Sequence, residues 1–83
     1  MKILWFAYLR TVTGESCETV NPPATISTVS ELIPWLRGQS ARYSAALADL
    51  SMVRIAVNLE YAHPDHPIVG TDEIAFFPPV TGG

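Results

Sequence analysis

The pattern of apolar and polar positions along the chain predicts a small sheet with helices between its strands. The first apolar run, KILWFAYL, predicts a strand that is apolar on both faces, so that one face packs on the core and the other is open to a second protein. SCETVN predicts a short strand paired back on the first through a turn at Gly14. MVRIAVNLEYA alternates and predicts a strand whose core-facing residues are Val53, Ile55, Val57 and Leu59. EIAFFPPV predicts a last strand that ends at its prolines, with room for one short strand before it.

Two helical segments are predicted between the second and third strands. In STVSELIPWLRG, Thr28 and Glu31 have the spacing of a capping box, and Gly38 predicts the helix end. Pro34, inside this segment, predicts a helix that bends or begins late. Ser40 predicts the cap of a second helix whose apolar face is Tyr43, Ala46, Leu47 and Leu50. This order of elements predicts an α+β domain in which helices cover one face of a sheet of four to five strands.

Composition and charge reduce the number of function classes that the chain can belong to. The length of 83 residues predicts one domain spanning 1–83. Charged residues make up 16% of the chain, against a usual ~25%, and hydrophobic residues make up 48%. Such a surface is expected to keep an apolar patch for a partner. The net charge is −3, and the scattered basic residues form no patch for nucleic acid: Lys2, Arg10, Arg37, Arg42 and Arg54. The longest apolar run is too short to cross a membrane, which predicts a cytoplasmic protein.

The candidate metal ligands and the single thiol give only weak evidence for metal binding or nucleophilic catalysis. His63 and His66 flank Asp65 in a proline-rich turn, whereas zinc sites need three or four ligands, so no metal site is predicted. Cys17 has no partner for an internal disulfide and no neighbouring histidine in sequence, so a nucleophilic role is not expected.

The strongest chemical signal is the end of the chain, FFPPVTGG. In residues 78–83 the prolines fix φ, Thr81 favours extension and the two glycines carry no side chain. Six extended residues reach about 20 Å, so a flexible tail can carry the Gly83 carboxylate into a cleft of another protein. Activation by ATP to an acyl-adenylate, followed by replacement of an oxygen by sulfur, would make this carboxylate a thiocarboxylate. That chemistry requires no catalytic side chain in this domain.

This end resembles the C-terminus of the small subunit of molybdopterin synthase, a ubiquitin-like sulfur carrier. The resemblance extends to DEIAFFPPVTGG, to Asp65-His66-Pro67 and to Phe6-Ala7 followed by Arg10 in the first strand and its exit. It implies a β-grasp fold with a mixed sheet and a non-catalytic, sulfur-donating subunit whose activity resides in a complex. The implied contacts with that complex are Phe6, Arg10, Phe76, Phe77, Pro78, Pro79, Val80, Thr81, Gly82 and Gly83. The residues leave open which of the two adjacent phenylalanines faces outward.

The resemblance also implies partners. An E1-like adenylyltransferase would use ATP to adenylate Gly83, and a sulfur-donating protein would supply the sulfur. The large catalytic subunit of molybdopterin synthase, dimeric at the centre of a heterotetramer, would use the thiocarboxylate to convert cyclic pyranopterin monophosphate to molybdopterin. No bound cofactor is expected in the carrier itself.

Two other classes of function remain open at the level of the residues. The same activated carboxylate serves a protein modifier, in which Gly83 becomes joined to lysines of target proteins. A plain interaction domain with an inert tail would retain every activity after Gly83 is deleted. A carrier for thiamine biosynthesis is a close relative of the molybdopterin synthase carrier that the resemblance implies.

Overall fold

The structure is a computed structural model, and it describes residues 1–79 of the chain. The last four residues of the predicted tail, Val80 to Gly83, lie outside the described residues. The elements in chain order are β1 (Lys2–Trp5), α1 (Tyr8–Thr13), β2 (Cys17–Thr19), α2 (Val29–Gln39), α3 (Ala41–Ala46), a 3₁₀-helix (Leu50–Met52), β3 (Arg54–Val57), β4 (Glu60–Tyr61) and β5 (Glu73–Phe77).

The strands form one mixed sheet in the order β2-β1-β5-β3-β4. β1 and β5 pair in parallel at its centre, with Ile3 opposite Ile74 and Trp5 opposite Phe76. The other neighbouring strands are antiparallel. The predicted α+β architecture, with a mixed sheet of four to five strands, is therefore confirmed.

The core lies between the helices and one face of the sheet. The Trp5 ring stacks on Phe76 with their centroids 4.9 Å apart, and it lies 5.5 Å from the ring of Tyr43 in α3. α2 contributes four buried residues at helical spacing: Val29, Leu32, Ile33 and Leu36. The helices therefore bury the residues of β1 and β5 that point toward them, and the alternate residues point to the opposite face.

α2 begins where its capping box predicts. The Thr28 hydroxyl accepts from the Glu31 amide, and the Glu31 carboxylate accepts from the Thr28 amide at 3.1 Å. Two carbonyls of the loop between β4 and β5 also accept from the first turn, with Val29 donating to His66 and Ser30 donating to Pro64. These bonds satisfy amides that have no partner inside the helix.

The late start predicted from Pro34 and the helix end predicted at Gly38 are both wrong. α2 begins at Val29, directly after its cap, and continues past Pro34 and Gly38 to Gln39. Pro34 and Ser30, whose carbonyl loses its helical partner, are both exposed, so water can satisfy that carbonyl. Ser40 ends α2 and caps α3, as predicted for α3, by accepting from the Tyr43 amide at 3.1 Å.

The first predicted strand is too long. β1 ends at Trp5, and the backbone turns at Ala7, with φ of 55°, into α1. The second half of the apolar run is helical because Leu9 and Thr13, four residues apart, are buried on one side. Gly14 ends α1 in the left-handed region with φ of 79°. β1 and β2 do pair antiparallel, but a helix rather than a tight turn connects them.

Two leucines predicted to face the core are exposed. Leu50 lies in the 3₁₀-helix after α3, and 41% of its surface is accessible. Leu59 is 88% exposed because Asn58 and Leu59, with φ of 50° and 71°, form the two-residue turn between β3 and β4. The alternation of β3 therefore stops at Val57, and Leu59 points to solvent.

A network around Glu18 holds β2 against α3. The Glu18 carboxylate accepts from Trp5 Nε1 at 3.3 Å and from Arg42 Nη2 at 3.1 Å. Burial alone would raise the pKa of Glu18, but favourable interactions with Tyr43, Arg42 and Trp5 outweigh it and lower the pKa below its ordinary value. Burial, and then the neighbouring Glu18, raise the pKa of Tyr43 to about 12.

We expect Glu18→Gln to lower the free energy of unfolding by about 1–2 kcal/mol at neutral pH, because the charge-assisted hydrogen bonds are lost. Since the pKa of Glu18 is lowered on folding, its contribution is present above the ordinary carboxyl pKa and is lost as pH falls through the folded value. The difference between wild type and variant should therefore shrink in acid. Urea denaturation across pH measures it, with the exposed Glu60→Gln as control. A difference that stays constant with pH would contradict the role given to the charge.

Among residues 1–79, no helix is long and apolar enough to cross a membrane.

Candidate apolar docking face beside the C-terminal segment

The face of the sheet opposite the helices carries a shallow apolar groove of about 480 Å³. Its lining comes from four strands, the turn between β3 and β4 and the first residue after each of β1 and β5: Leu4, Phe6, Ala56, Leu59, Tyr61, Ala75, Phe77 and Pro78. Cross-strand pairing explains this composition, because Ala56 is opposite both Ala75 and Tyr61, and paired residues share a face. The described structure places no helix over these side chains.

Several groove side chains are large, apolar and accessible. Leu59 is 88% exposed and Tyr61 is 77% exposed, and both project from the β3–β4 hairpin. The Tyr61 ring lies 5.7 Å from that of Phe77, so the two aromatics form one surface. A contiguous apolar surface of this kind on a small domain is typical of a protein–protein contact.

The adjacent phenylalanines of β5 point in opposite directions. Phe76 is fully buried against Trp5, whereas Phe77 is half-buried and lines the groove. The expectation that Phe76 contacts a partner is therefore wrong for this structure, because successive strand residues alternate between faces and the helices cover the side with Phe76. Phe77 is the residue of the pair that a partner can reach.

The other predicted contact residues lie on different elements. Phe6 is 48% exposed at the end of β1, and its amide donates to the Phe76 carbonyl at 3.1 Å, which fixes its side chain beside the end of β5. Arg10 is exposed on α1. Pro78 and Pro79 follow β5 without regular secondary structure and are half-buried. The remaining predicted tail residues, Val80, Thr81, Gly82 and Gly83, fall outside the described part of the chain.

Leu59 and Tyr61 were missed as surface residues by the sequence analysis. Leu59 was assigned to the core because it continued the alternation of β3. The available signal was Asn58, since asparagine tolerates the positive φ that a two-residue hairpin turn requires. A turn at Asn58 reverses the chain and carries Tyr61 back onto the face shared by Ala56.

The histidines of the proline-rich turn lie in the loop between β4 and β5, which contacts α2 through its backbone. Within residues 1–79, no group of three or more His, Cys, Asp or Glu side chains is arranged to hold a metal ion. The loop that contains His63, Asp65 and His66 presents carbonyls to the first turn of α2. Cys17 is exposed on β2, opposite Leu4.

Comparison with known families identifies the chain. The ThiS family profile matches residues 3–83, which include the five strands, the groove and the C-terminal segment. The chain belongs to the ThiS family. Its fold is the ubiquitin-like β-grasp, as the resemblance implied.

Individual relatives of this ThiS-family chain match it from end to end. The molybdopterin synthase sulfur carrier subunit of Escherichia coli (strain K12) is 41% identical over 83 residues, covering 100% of this chain and 99% of that protein. The subunit of the same name from Dictyostelium discoideum is 38% identical over 84 residues, covering 99% and 94%. Among solved structures, SAMP1 from Haloferax volcanii is 27% identical with a TM-score of 0.79, covering 100% of this chain and 98% of that one.

Proposed function

We propose that this chain is the sulfur carrier subunit of a molybdopterin synthase in molybdenum cofactor biosynthesis. The observation that carries the proposal is the position of the groove, which ends at Phe77 and Pro78, directly before the C-terminal segment. A partner that covers the groove therefore contacts the chain as far as Pro78, five residues before Gly83. Full-length relatives that are named sulfur carrier subunits support the same function.

The proposed chemistry takes place at the Gly83 carboxylate. An E1-like adenylyltransferase attaches AMP from ATP to this carboxylate and releases pyrophosphate. Hydrosulfide from a sulfur-donating protein then attacks the acyl carbon of the adenylate, the bond between that carbon and the phosphate oxygen breaks, and AMP leaves a thiocarboxylate behind. The thiocarboxylate sulfur is a better nucleophile than the carboxylate oxygen it replaces, and it is transferred to cyclic pyranopterin monophosphate. Two carriers are consumed for each dithiolene.

The carrier itself contributes recognition and reach rather than catalytic groups. In the proposed assembly the large catalytic subunit forms a central dimer, and one carrier docks on each end to give a cytoplasmic heterotetramer. The apolar groove supplies the docking surface, and the residues after Pro78 carry the Gly83 carboxylate to the active site. No cofactor is bound by the carrier in this proposal, and ATP is used by the activating enzyme.

Intact-mass spectrometry of the protein purified from its native host tests this proposal. We expect a population heavier by the mass difference between sulfur and oxygen, and fragmentation should place the change at Gly83. The population should grow when the large subunit is absent, since the thiocarboxylate is then not consumed. Only unmodified carboxylate in cells that are making the cofactor would refute the proposal.

A protein modifier is the second candidate function. It is favoured by the similarity to SAMP1 of H. volcanii. A second solved structure similar to this chain carries the name small archaeal modifier protein 1 of H. volcanii. The same Gly83 adenylate would then be attacked by a lysine amine of a target protein. Isopeptide-linked adducts of Gly83 in digests of host proteins would support this function, and their absence alongside the thiocarboxylate would exclude it.

A further inference from the structure

Arg54 lies at the edge of the apolar groove, next to the point where the chain leaves the sheet. It pairs with Phe77 in the antiparallel register of β3 and β5, so both Cβ atoms lie on the same face, about 5 Å apart. Arg54 is exposed. A partner that buries the Phe77 ring must therefore also approach the Arg54 guanidinium.

The charge of Arg54 is not neutralised within the described structure. The groove face also carries Lys2 and Glu73, but these two pair with each other at 3.9 Å near the other end of β5. No carboxylate lies within 4 Å of Arg54 among residues 1–79. Arg54 Nη1 donates only to the carbonyls of Ser51, at 3.4 Å, and Val53, at 3.3 Å, which is long for a hydrogen bond. The side chain can leave these carbonyls to meet a stronger acceptor.

The surface around Arg54 is apolar. The Tyr8 hydroxyl donates to the Met52 carbonyl at 3.1 Å, which joins the start of α1 to the segment that precedes β3. Tyr8 is 44% exposed and Met52 is 47% exposed. Phe6 and Phe77 line the groove at the end of β5. The register of β3 and β5 places Arg54 beside this apolar surface. Desolvating a guanidinium on such a surface is unfavourable unless a carboxylate pairs with it.

We propose that Arg54 is a specificity-determining contact that pairs with a carboxylate of the large synthase subunit when that subunit covers the groove. This inference rests on the proposed function, since it takes the large subunit as the occupant of the groove. A rim charge of this kind acts mainly on the association rate and on its dependence on salt. It selects partners because a subunit without an acidic side chain at this place would partly desolvate the guanidinium without pairing with it.

Association of the full-length carrier with the purified large subunit of the same host tests the contact. In about 50 mM salt, Arg54→Glu should lower the association rate constant about tenfold and Arg54→Gln about threefold, while Arg54→Lys stays within about twofold of wild type. In about 500 mM salt the differences should fall below about twofold, because the Debye length is then only a few ångströms.

The matched control is Thr25→Glu, which changes the net charge by the same amount as Arg54→Gln. Thr25 is exposed in the loop before α2. Its neighbours Ala24 and Ile26 line a pocket with Met1, which is at the opposite end of β1 from the chain exit. Thermal unfolding of each variant checks that the fold is kept. Equal association rates for Arg54→Gln and Thr25→Glu would overturn the inference, as would a loss that persists unchanged in high salt. If the wild-type carrier fails to bind the large subunit, the proposed function falls first, which distinguishes the two failures.

Discussion

Deletion of Gly83 is expected to abolish sulfur transfer to the pterin precursor, with a loss of more than about 100-fold. Removing one residue withdraws the terminal carboxylate by about 3.5 Å, and a misplacement of about 1 Å can already lower a rate about 100-fold. The fold should be unaffected, because every buried side chain that the structure describes in residues 1–79 lies at or before Phe76. The deletion therefore separates chemistry from stability.

Product formation in a reaction reconstituted with the activating enzyme, a sulfur donor and the large subunit measures this effect. Gly70→Ala is the control for a small change at a glycine, since a methyl group there would meet no atom within 4 Å. It should transfer sulfur as wild type does, and both variants should unfold at the wild-type temperature. Full activity of the truncated chain would instead identify an interaction domain with an inert tail.

The adjacent phenylalanines of β5 are expected to respond to alanine substitution in opposite ways. Phe77→Ala should weaken binding of the large subunit by about 2–4 kcal/mol, as for other central aromatic contacts, and change the free energy of unfolding little. Phe76→Ala should lower the free energy of unfolding by about 3–5 kcal/mol, because it leaves a cavity beside Trp5. That is a large part of the stability of a small domain.

Isothermal titration with the large subunit and urea denaturation of the isolated carrier measure the two effects on the same pair of variants. Each variant is the control for the other, since both remove one phenyl ring from neighbouring positions of one strand. The assignment of the two faces is contradicted if Phe77→Ala unfolds the domain, or if Phe76→Ala remains as stable as wild type.

The sequence alone was sufficient to predict where a helix or strand begins or ends when neighbouring residues determine that boundary. The capping box of Thr28 and Glu31 predicts the start of α2, and Ser40 predicts the start of α3, because each cap acts on amides only two or three residues away. The prolines after Phe77 end β5 in the same local way, since they lack amide protons. The chemistry proposed for Gly83 also depends on the covalent structure of the end of the chain and not on packing.

Tertiary structure alone decided which side chains are accessible. Phe76 and Phe77 are equally apolar, and only the pairing of β5 with β1, from opposite ends of the chain, turns Phe76 toward the helices. The end of β1 at Trp5 and the exposure of Leu59 depend likewise on backbone turns at Ala7 and Asn58 that apolar periodicity does not specify. Arg54 became adjacent to Phe77 only through the register of β3 and β5. Periodicity identifies an apolar residue, but contacts between distant segments determine whether it faces a core or a partner.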